Sequence, residues 1–204
     1  MDFKEEFICF VKEEFHIVIN EEQLKKFDIY YNFLSLSMKY INLSAIKLER
    51  EIYFRHFADS LSVYNLINET QKIVDVGFGA GFPSIPLKII NPKLNISLVE
   101  IDKTKCIFIK QLLHMLKIYD VVVINDDVKN IKFKYDIFLS RAFAGLDILF
   151  TISKKILKKD GKIVFQTIKN DLPITKWKYV LEKTIKYQLP VVENERFSHL
   201  IRML

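Results

Sequence analysis

Residues 75–83, Asp-Val-Gly-Phe-Gly-Ala-Gly-Phe-Pro, restrict the fold more than any other stretch of this sequence. They follow a short apolar run at 73–76 and precede a segment of helical periodicity at 85–90. Glycines let a chain turn sharply and bring its backbone close to a ligand. In open α/β sheets, ligands bind at this place, beyond the carboxyl end of a strand.

The alternation continues downstream. Residues 96–99 read as a second strand, and 103–116 as a helix with Cys106, Ile109, Leu113 and Leu116 inward. Short strands are predicted at 121–124 and 137–139, a helix at 146–157 and a strand at 162–168. The tail reads as a helix over 176–183 and strands at 185–192 and 199–204. Strand–helix alternation implies parallel pairing with right-handed crossovers. The expected class is α/β: a mostly parallel open sheet with helices on both faces. Upstream, Phe7, Phe10, Val11 and Phe15 recur at helical spacing. Asn20 ahead of Glu21, Glu22 and Gln23 fits an N-cap, and Leu24, Phe27, Tyr30, Tyr31 and Leu34 supply an apolar face. A further helix is predicted over 49–67. Residues 1–50 are therefore read as a helical extension packed on a domain spanning 51–204.

Half of the 204 residues are hydrophobic, enough for a core, and the length suits one domain with an appendage. Cys9 and Cys106 make no disulfide framework, which points to a reducing compartment. With a charged N-terminus and no long uncharged apolar run, a cytoplasmic protein without membrane association is expected. Residues 1–60 carry 8 Lys+Arg and 11 Asp+Glu, and residues 61–204 carry 23 and 14. The basic excess in the larger part suits a polyanionic partner or reflects lysine-rich coding.

The glycine spacing discriminates among ligands. Dinucleotide sites use G-x-G-x-x-G. Here the order is G-x-G-x-G, and Phe82 stands where the third dinucleotide glycine would lie. A ligand without phosphates, carrying an amino-acid portion, fits better. Gly77 and Gly79 would face it through backbone, and Asp75 would take its ammonium directly or through water. Glu100 closes the second strand 23 positions after Gly77, near the spacing of an acid that binds ribose hydroxyls. A plain structural glycine turn is the alternative.

At this point the sequence resembles class I, Rossmann-like S-adenosylmethionine-dependent methyltransferases. It is most similar to the ribosomal RNA small-subunit methyltransferase G family, also called glucose-inhibited division protein B. Arg55-His56-Phe57-Ala58-Asp59-Ser60-Leu61, residues 74–87 (VDVGFGAGFPSIPL), residues 97–109 and Ser140-Arg141-Ala142-Phe143-Ala144 carry the likeness. The resemblance implies methyl transfer from S-adenosylmethionine to guanine N7 in small-subunit (16S) ribosomal RNA. It implies cofactor contacts by Gly77, Phe82, Val128, Lys129 and Arg141. Three departures stand out. Asp127-Val128-Lys129 replaces a usual Arg-Ala-Glu, Ser84 replaces a glycine, and Thr167-Ile168-Lys169 matches a basic step only loosely.

The chemistry fits these residues. Guanine N7 carries an in-plane lone pair and no proton, so its attack on a sulfonium methyl needs positioning rather than a base. The Asn/Asp-Pro-Pro-Tyr/Phe tetrad of adenine amino-methyltransferases is absent. Arg141 is the candidate catalytic residue, to grip carboxylate or phosphate or to orient the guanine. A structural ion pair with Asp75 or Glu100 is its other reading. Phe143 is a candidate base-stacking residue or, equally, a core residue behind the strand. His56 and Asp59, three apart, are expected to bond each other or to border the cleft. His56, Lys169 and Arg196 are the leading RNA contacts, ahead of Lys132, Lys134, Lys154, Lys155, Lys158, Lys159 and Lys162. The scattered histidines have no ligand spacing, so no metal is expected. A monomer is expected, since no long apolar stripe is left over. Two other classes compete. Tyr179 and Lys183 spell the Tyr-x-x-x-Lys of short-chain dehydrogenases, too late in the chain and behind the wrong glycine pattern. A non-catalytic RNA-binding regulator with a nucleoside pocket is the other.

Overall fold

The computed structural model describes residues 2–141, 145–170, 172 and 174–204, with Thr175 and Lys176 by backbone alone. Strands β1 (Lys72–Val76), β2 (Asn95–Glu100), β3 (Val122–Asn125), β4 (Tyr135–Arg141), β5 (Leu157–Thr167), β6 (Tyr179–Tyr187) and β7 (Arg196–Met203) form one sheet. Their order is β3-β2-β1-β4-β5-β7-β6. β1 to β5 run parallel, and β7 lies antiparallel between β5 and β6. This is the mostly parallel sheet that the strand–helix alternation predicts.

Helices α1 (Phe3–Phe15) and α2 (Glu21–Ser37) form the N-terminal extension. Asn20 caps α2 as expected: its side chain accepts from the Gln23 amide at 2.9 Å, and Gln23 accepts in return from the Asn20 amide. The predicted helix over 49–67 is four pieces: α3 (Glu49–Ile52), a π-helical segment Tyr53–Ala58, α4 (Asp59–Leu61) and a 3-10 turn Tyr64–Leu66. Widening the helix lets Tyr53, Phe54, Phe57 and Ala58 all be buried. Such π segments concentrate at functional sites.

Helices α5 (Ser84–Ile90), α6 (Lys103–Met115) and α7 (Leu146–Ile156) join β1 to β2, β2 to β3 and β4 to β5. The two sheet faces are covered unequally. On one, α5, α6 and the N-terminal helices form a single core, with Phe7, Phe27, Tyr30, Phe57, Ile85 and Ile109 all packed against Ile73, Ile96 and Ile137. On the other, α7 is the only α-helix in the core among the described residues: Leu149, Phe150 and Ile156 share a cluster with Val74, Val76 and Phe138. The crossover from β3 to β4, residues 126–134, holds one 3-10 turn, Val128–Asn130, as its only described helical element. Parallel crossovers usually take a dozen or more residues and a helix.

The tail differs from the sequence reading. Residues 176–183 are not a helix: a 3-10 turn, Ile174–Trp177, leads into β6. Lys and Glu supply helix propensity there, but Val180, Thr184 and Ile185 favour a strand, and pairing with β7 decides the outcome. The register shifts between Leu181 and Lys183, which breaks the period of two that would have marked the strand.

Candidate functional site

Parallel register sets the ends of β1 and β2 side by side, Val76 opposite Val99, and the Gly77 amide donates to the Val99 carbonyl at 2.8 Å. The chain then turns through three glycines of positive φ: Gly77 (70°), Gly79 (57°) and Gly81 (102°). They differ in surroundings. A Cβ on Gly81 would lie 2.7 Å from Ile109 Cδ1 and 2.8 Å from Ile85 Cγ1, so this glycine lets the loop close onto α5 and α6. A Cβ on Gly79 would meet nothing within 4 Å, so this side of the loop is open.

Across the opening sits Glu100. Its Oε1 accepts from the Asp102 amide at 3.1 Å, and its Oε2 lies 3.4 Å from the Gly79 amide. The carboxylate is thus aimed at the loop while only 8% of the residue is exposed. Asn125 donates to the carbonyls of Glu100 and Ile101, 3.0 Å each, fixing the backbone at the end of β2. A cleft of ≈ 240 Å³ lies here, lined by Gly77, Glu100, Ile101, Asp127, Val128, Lys129 and the α7 residues Ile148 and Ile152. Asp127 accepts from the Lys129 amide at 2.8 Å, which shapes the turn that presents Val128 and Lys129 to this cleft. Gly77, Glu100, Val128 and Lys129 are therefore brought together.

Asp75 lies under the loop, 1% exposed. Ser84, the departure from the family glycine, donates to Asp75 Oδ2 at 2.6 Å, while Oδ1 is buried without a partner. Burial pushes this carboxyl up to about 7, against the pull of Ser84.

Phe82 is placed elsewhere. Its ring stacks near-parallel with Tyr30, 5.3 Å and 17° away, and with His56, 4.5 Å and 15° away, and the Arg141 guanidinium lies 5.5 Å from its centre. Tyr30, fully buried on α2, donates to the Ala80 carbonyl at 2.6 Å. The extension therefore holds the glycine loop from behind, a role no local signal in the sequence marks.

His56 does not bond Asp59. Its Nδ1 faces Arg141 Nη2 at 2.9 Å and its Nε2 faces Ser44 Oγ at 2.7 Å. Arginine only donates, so Nδ1 accepts and the ring proton sits on Nε2. Burial, with Arg141 and Arg55 nearby, lowers its pKa to about 2 and keeps the ring neutral. Arg141 also donates to the Arg55 carbonyl at 2.7 Å, and its Nε lies 3.1 Å from Asp59 Oδ2. Its ion-pair partner is thus Asp59, not Asp75 or Glu100. Asp59, 0% exposed, also faces Arg196 Nε at 3.3 Å and accepts from Tyr187 at 2.9 Å. Arg196, expected on RNA, is drawn into this buried node by its side chain, which is only 20% exposed.

Lys169 is exposed beyond β5, and its carbonyl accepts from His199 Nε2 at 3.2 Å. Phe143 lies outside the described residues. Among the described residues no three His, Cys, Asp or Glu side chains form a metal-binding group, and no helix is long and apolar enough to cross a membrane.

Comparison with known proteins gives the family and the fold. The family model described as rRNA small subunit methyltransferase G matches residues 23–200. Curated relatives named ribosomal RNA small subunit methyltransferase G include that of Bacillus subtilis, 31% identical, with 92% of this chain and 85% of the relative covered. That of Streptococcus uberis is 36% identical, with 74% and 68% covered. Among solved structures, ribosomal protein L11 methylase from Lactobacillus delbrueckii matches with TM-score 0.57 at 14% identity, covering 74% of this chain and 79% of that one. Precorrin-6y C5,15-methyltransferase from Geobacter metallireducens matches with TM-score 0.51 at 17% identity, covering 72% and 86%. These structural likenesses show the fold.

Proposed function

The chain belongs to the rRNA small subunit methyltransferase G family, and from that premise we propose that it methylates N7 of a guanine in small-subunit ribosomal RNA, using S-adenosylmethionine. The observation that carries this reading is the placement of Glu100 between the open side of Gly79 and the Val128–Lys129 turn.

The residues suit that cofactor. Glu100 offers two carboxylate oxygens for vicinal hydroxyls, and the walls beside it, Ile101, Val128, Ile148 and Ile152, are apolar as a purine requires. The unpaired Asp75 Oδ1 is an acceptor for an ammonium group, directly or through water. Phe82 acts behind the loop, holding its shape. Bound there, S-adenosylmethionine supplies an electrophilic methyl on a sulfonium. Arg141 ends β4, beside β1, with Nη1 buried and unpartnered. It supplies a fixed positive charge that orients the guanine or its phosphate without acting as a base, and His56 and Asp59 hold it there.

The test uses labelled S-adenosylmethionine with undermethylated small subunits and pure protein. Label at a guanine N7 is expected, and its absence refutes the reading. Calorimetry is expected to give binding of S-adenosylmethionine and none of NADH, which would separate this reading from a dehydrogenase. A monomer acting on RNA or an assembled subunit is part of the same proposal.

A further inference from the structure

The sheet face left open by the short β3–β4 crossover is not a bland surface. Beneath β2 and β3 lies a groove whose floor combines Ser97, Asn95, Val122 and Ile124 and whose rim carries Lys72, Phe133 and Lys134. Phe133 is 71% exposed and Val122 57%, so a large aromatic stands in solvent between two lysines, Lys132 and Lys134. The charge around it is one-sided. Residues 129–162 hold nine Lys or Arg against three Asp; with Arg141 committed to Asp59 and Lys162 to Glu182, seven lysines remain against those three. Asp136 is already paired with Lys158 at 2.7 Å.

The lysines are linked from this groove to the cleft. Lys134 Nζ donates to the Lys155 carbonyl at 2.6 Å, and Lys155 Nζ donates to the carbonyl of Lys129, which lines the cleft. A basic strip thus links the groove at the amino ends of the strands to the Lys129 turn that lines the cleft at their carboxyl ends.

We propose that this strip and groove are a second docking surface for the RNA substrate, taking an unpaired segment next to the target guanine; the proposal rests on the function given above. Charge complementarity selects the occupant. Lysines neutralise phosphates, an exposed ring stacks on an unpaired base, and Asn95 and Ser97 supply donors and acceptors for base edges. A helix across this face, as doubly wound sheets usually carry, would bury the groove.

The test uses the full chain with Phe133→Ala, and separately with Lys72→Ala and Lys132→Ala together. Neither lysine makes an ion pair among the described residues, so both variants are expected to fold. In methylation of undermethylated small subunits, KM is expected to rise at least fivefold with kcat and S-adenosylmethionine affinity unchanged. In binding of the same RNA without cofactor, the slope of log affinity against log salt is expected to shrink by about 1.4 for the two-lysine variant, about 0.7 per single-strand phosphate. Unchanged KM and salt slope overturn the proposal. So does sedimentation showing that the substitutions dissolve a dimer, which would give the groove to a second copy. The RNA-binding readout needs no catalysis, so a wild-type protein that binds through the strip yet takes up no label would sink only the function reading.

Discussion

Asp59→Asn is the sharpest probe of how the candidate site is held. The carboxylate is 0% exposed and faces Arg141 at 3.1 Å and Arg196 at 3.3 Å, with Tyr187 donating to it at 2.9 Å. Asparagine keeps the shape and the Tyr187 bond but leaves two guanidinium groups without their counter-charge. Removing one member of a buried ion pair costs about 3–5 kcal/mol. The arginine side chains are 15% and 20% exposed, so solvent takes up part of the loss and the low end, about 3 kcal/mol, applies. For a chain of this size that is a fall in thermal midpoint of roughly 6–12 °C. Arg141 keeps its bonds to Arg55 and His56, so it is displaced rather than released. A displacement near 1 Å lowers kcat by up to about 100-fold. S-adenosylmethionine affinity is expected to hold, since Asp59 does not line the cleft. Thermal unfolding and single-turnover methylation check both halves. In a background of Arg141→Met and Arg196→Met, the same substitution is expected to stabilise, because the buried Asp59 carboxylate is then the charge without a partner. A wild-type-background shift under about 2 °C refutes the argument.

Three further outcomes follow from the loop. Gly79→Ala meets only the backbone penalty of positive φ, about 1–2 kcal/mol, whereas Gly81→Ala also drives a Cβ into Ile109 and Ile85; urea unfolding is expected to show Gly81→Ala as the worse by at least 1 kcal/mol. Burial holds Asp75 at about 7, above the 3.8 of a free carboxyl, so its contribution to stability is full below pH 3.8 and is lost as pH rises through about 7. Asp75→Asn is expected to gain on the wild type across that window in denaturation from pH 4 to 8, and a flat difference counts against the assignment. Tyr30→Phe leaves the buried Ala80 carbonyl without its donor, a loss of about 1–3 kcal/mol, and is expected to weaken S-adenosylmethionine binding in calorimetry although Tyr30 lies outside the cleft.

The sequence makes some of this legible and hides the rest for physical reasons. The glycine loop and Glu100 show because a tight turn and a strand-end acid are local demands, each written in its own few residues. The mostly parallel sheet shows because alternating strands and helices leave few topologies. What is hidden depends on distance along the chain. Tyr30 reaches Ala80 across 50 residues, Arg141 reaches His56 across 85, and Tyr187 reaches Asp59 across 128. Nothing near Arg196 announces that its charge is committed to Asp59. The β6 strand is hidden for a different reason: its Lys and Glu favour helix locally, and only the β7 partner overrides them.

Phe82 joins these two groups and explains why the extension belongs to the site. A loop with three glycines has little conformational preference of its own, so something else must fix it. Tyr30 and His56 both stack with Phe82, and Tyr30 also ties down the Ala80 carbonyl. His56 touches Arg141 with its other edge. The ring that fixes the cofactor loop is therefore packed against the histidine that fixes the arginine. Any shift of the loop must move Phe82, and any shift of Phe82 must either open the stack or displace His56 and Arg141 with it. The interior is packed too closely for a third course. Loop and arginine consequently respond together, and a substitution at His56 should perturb cofactor affinity and RNA methylation at once, where one at Lys129 perturbs the cofactor side alone.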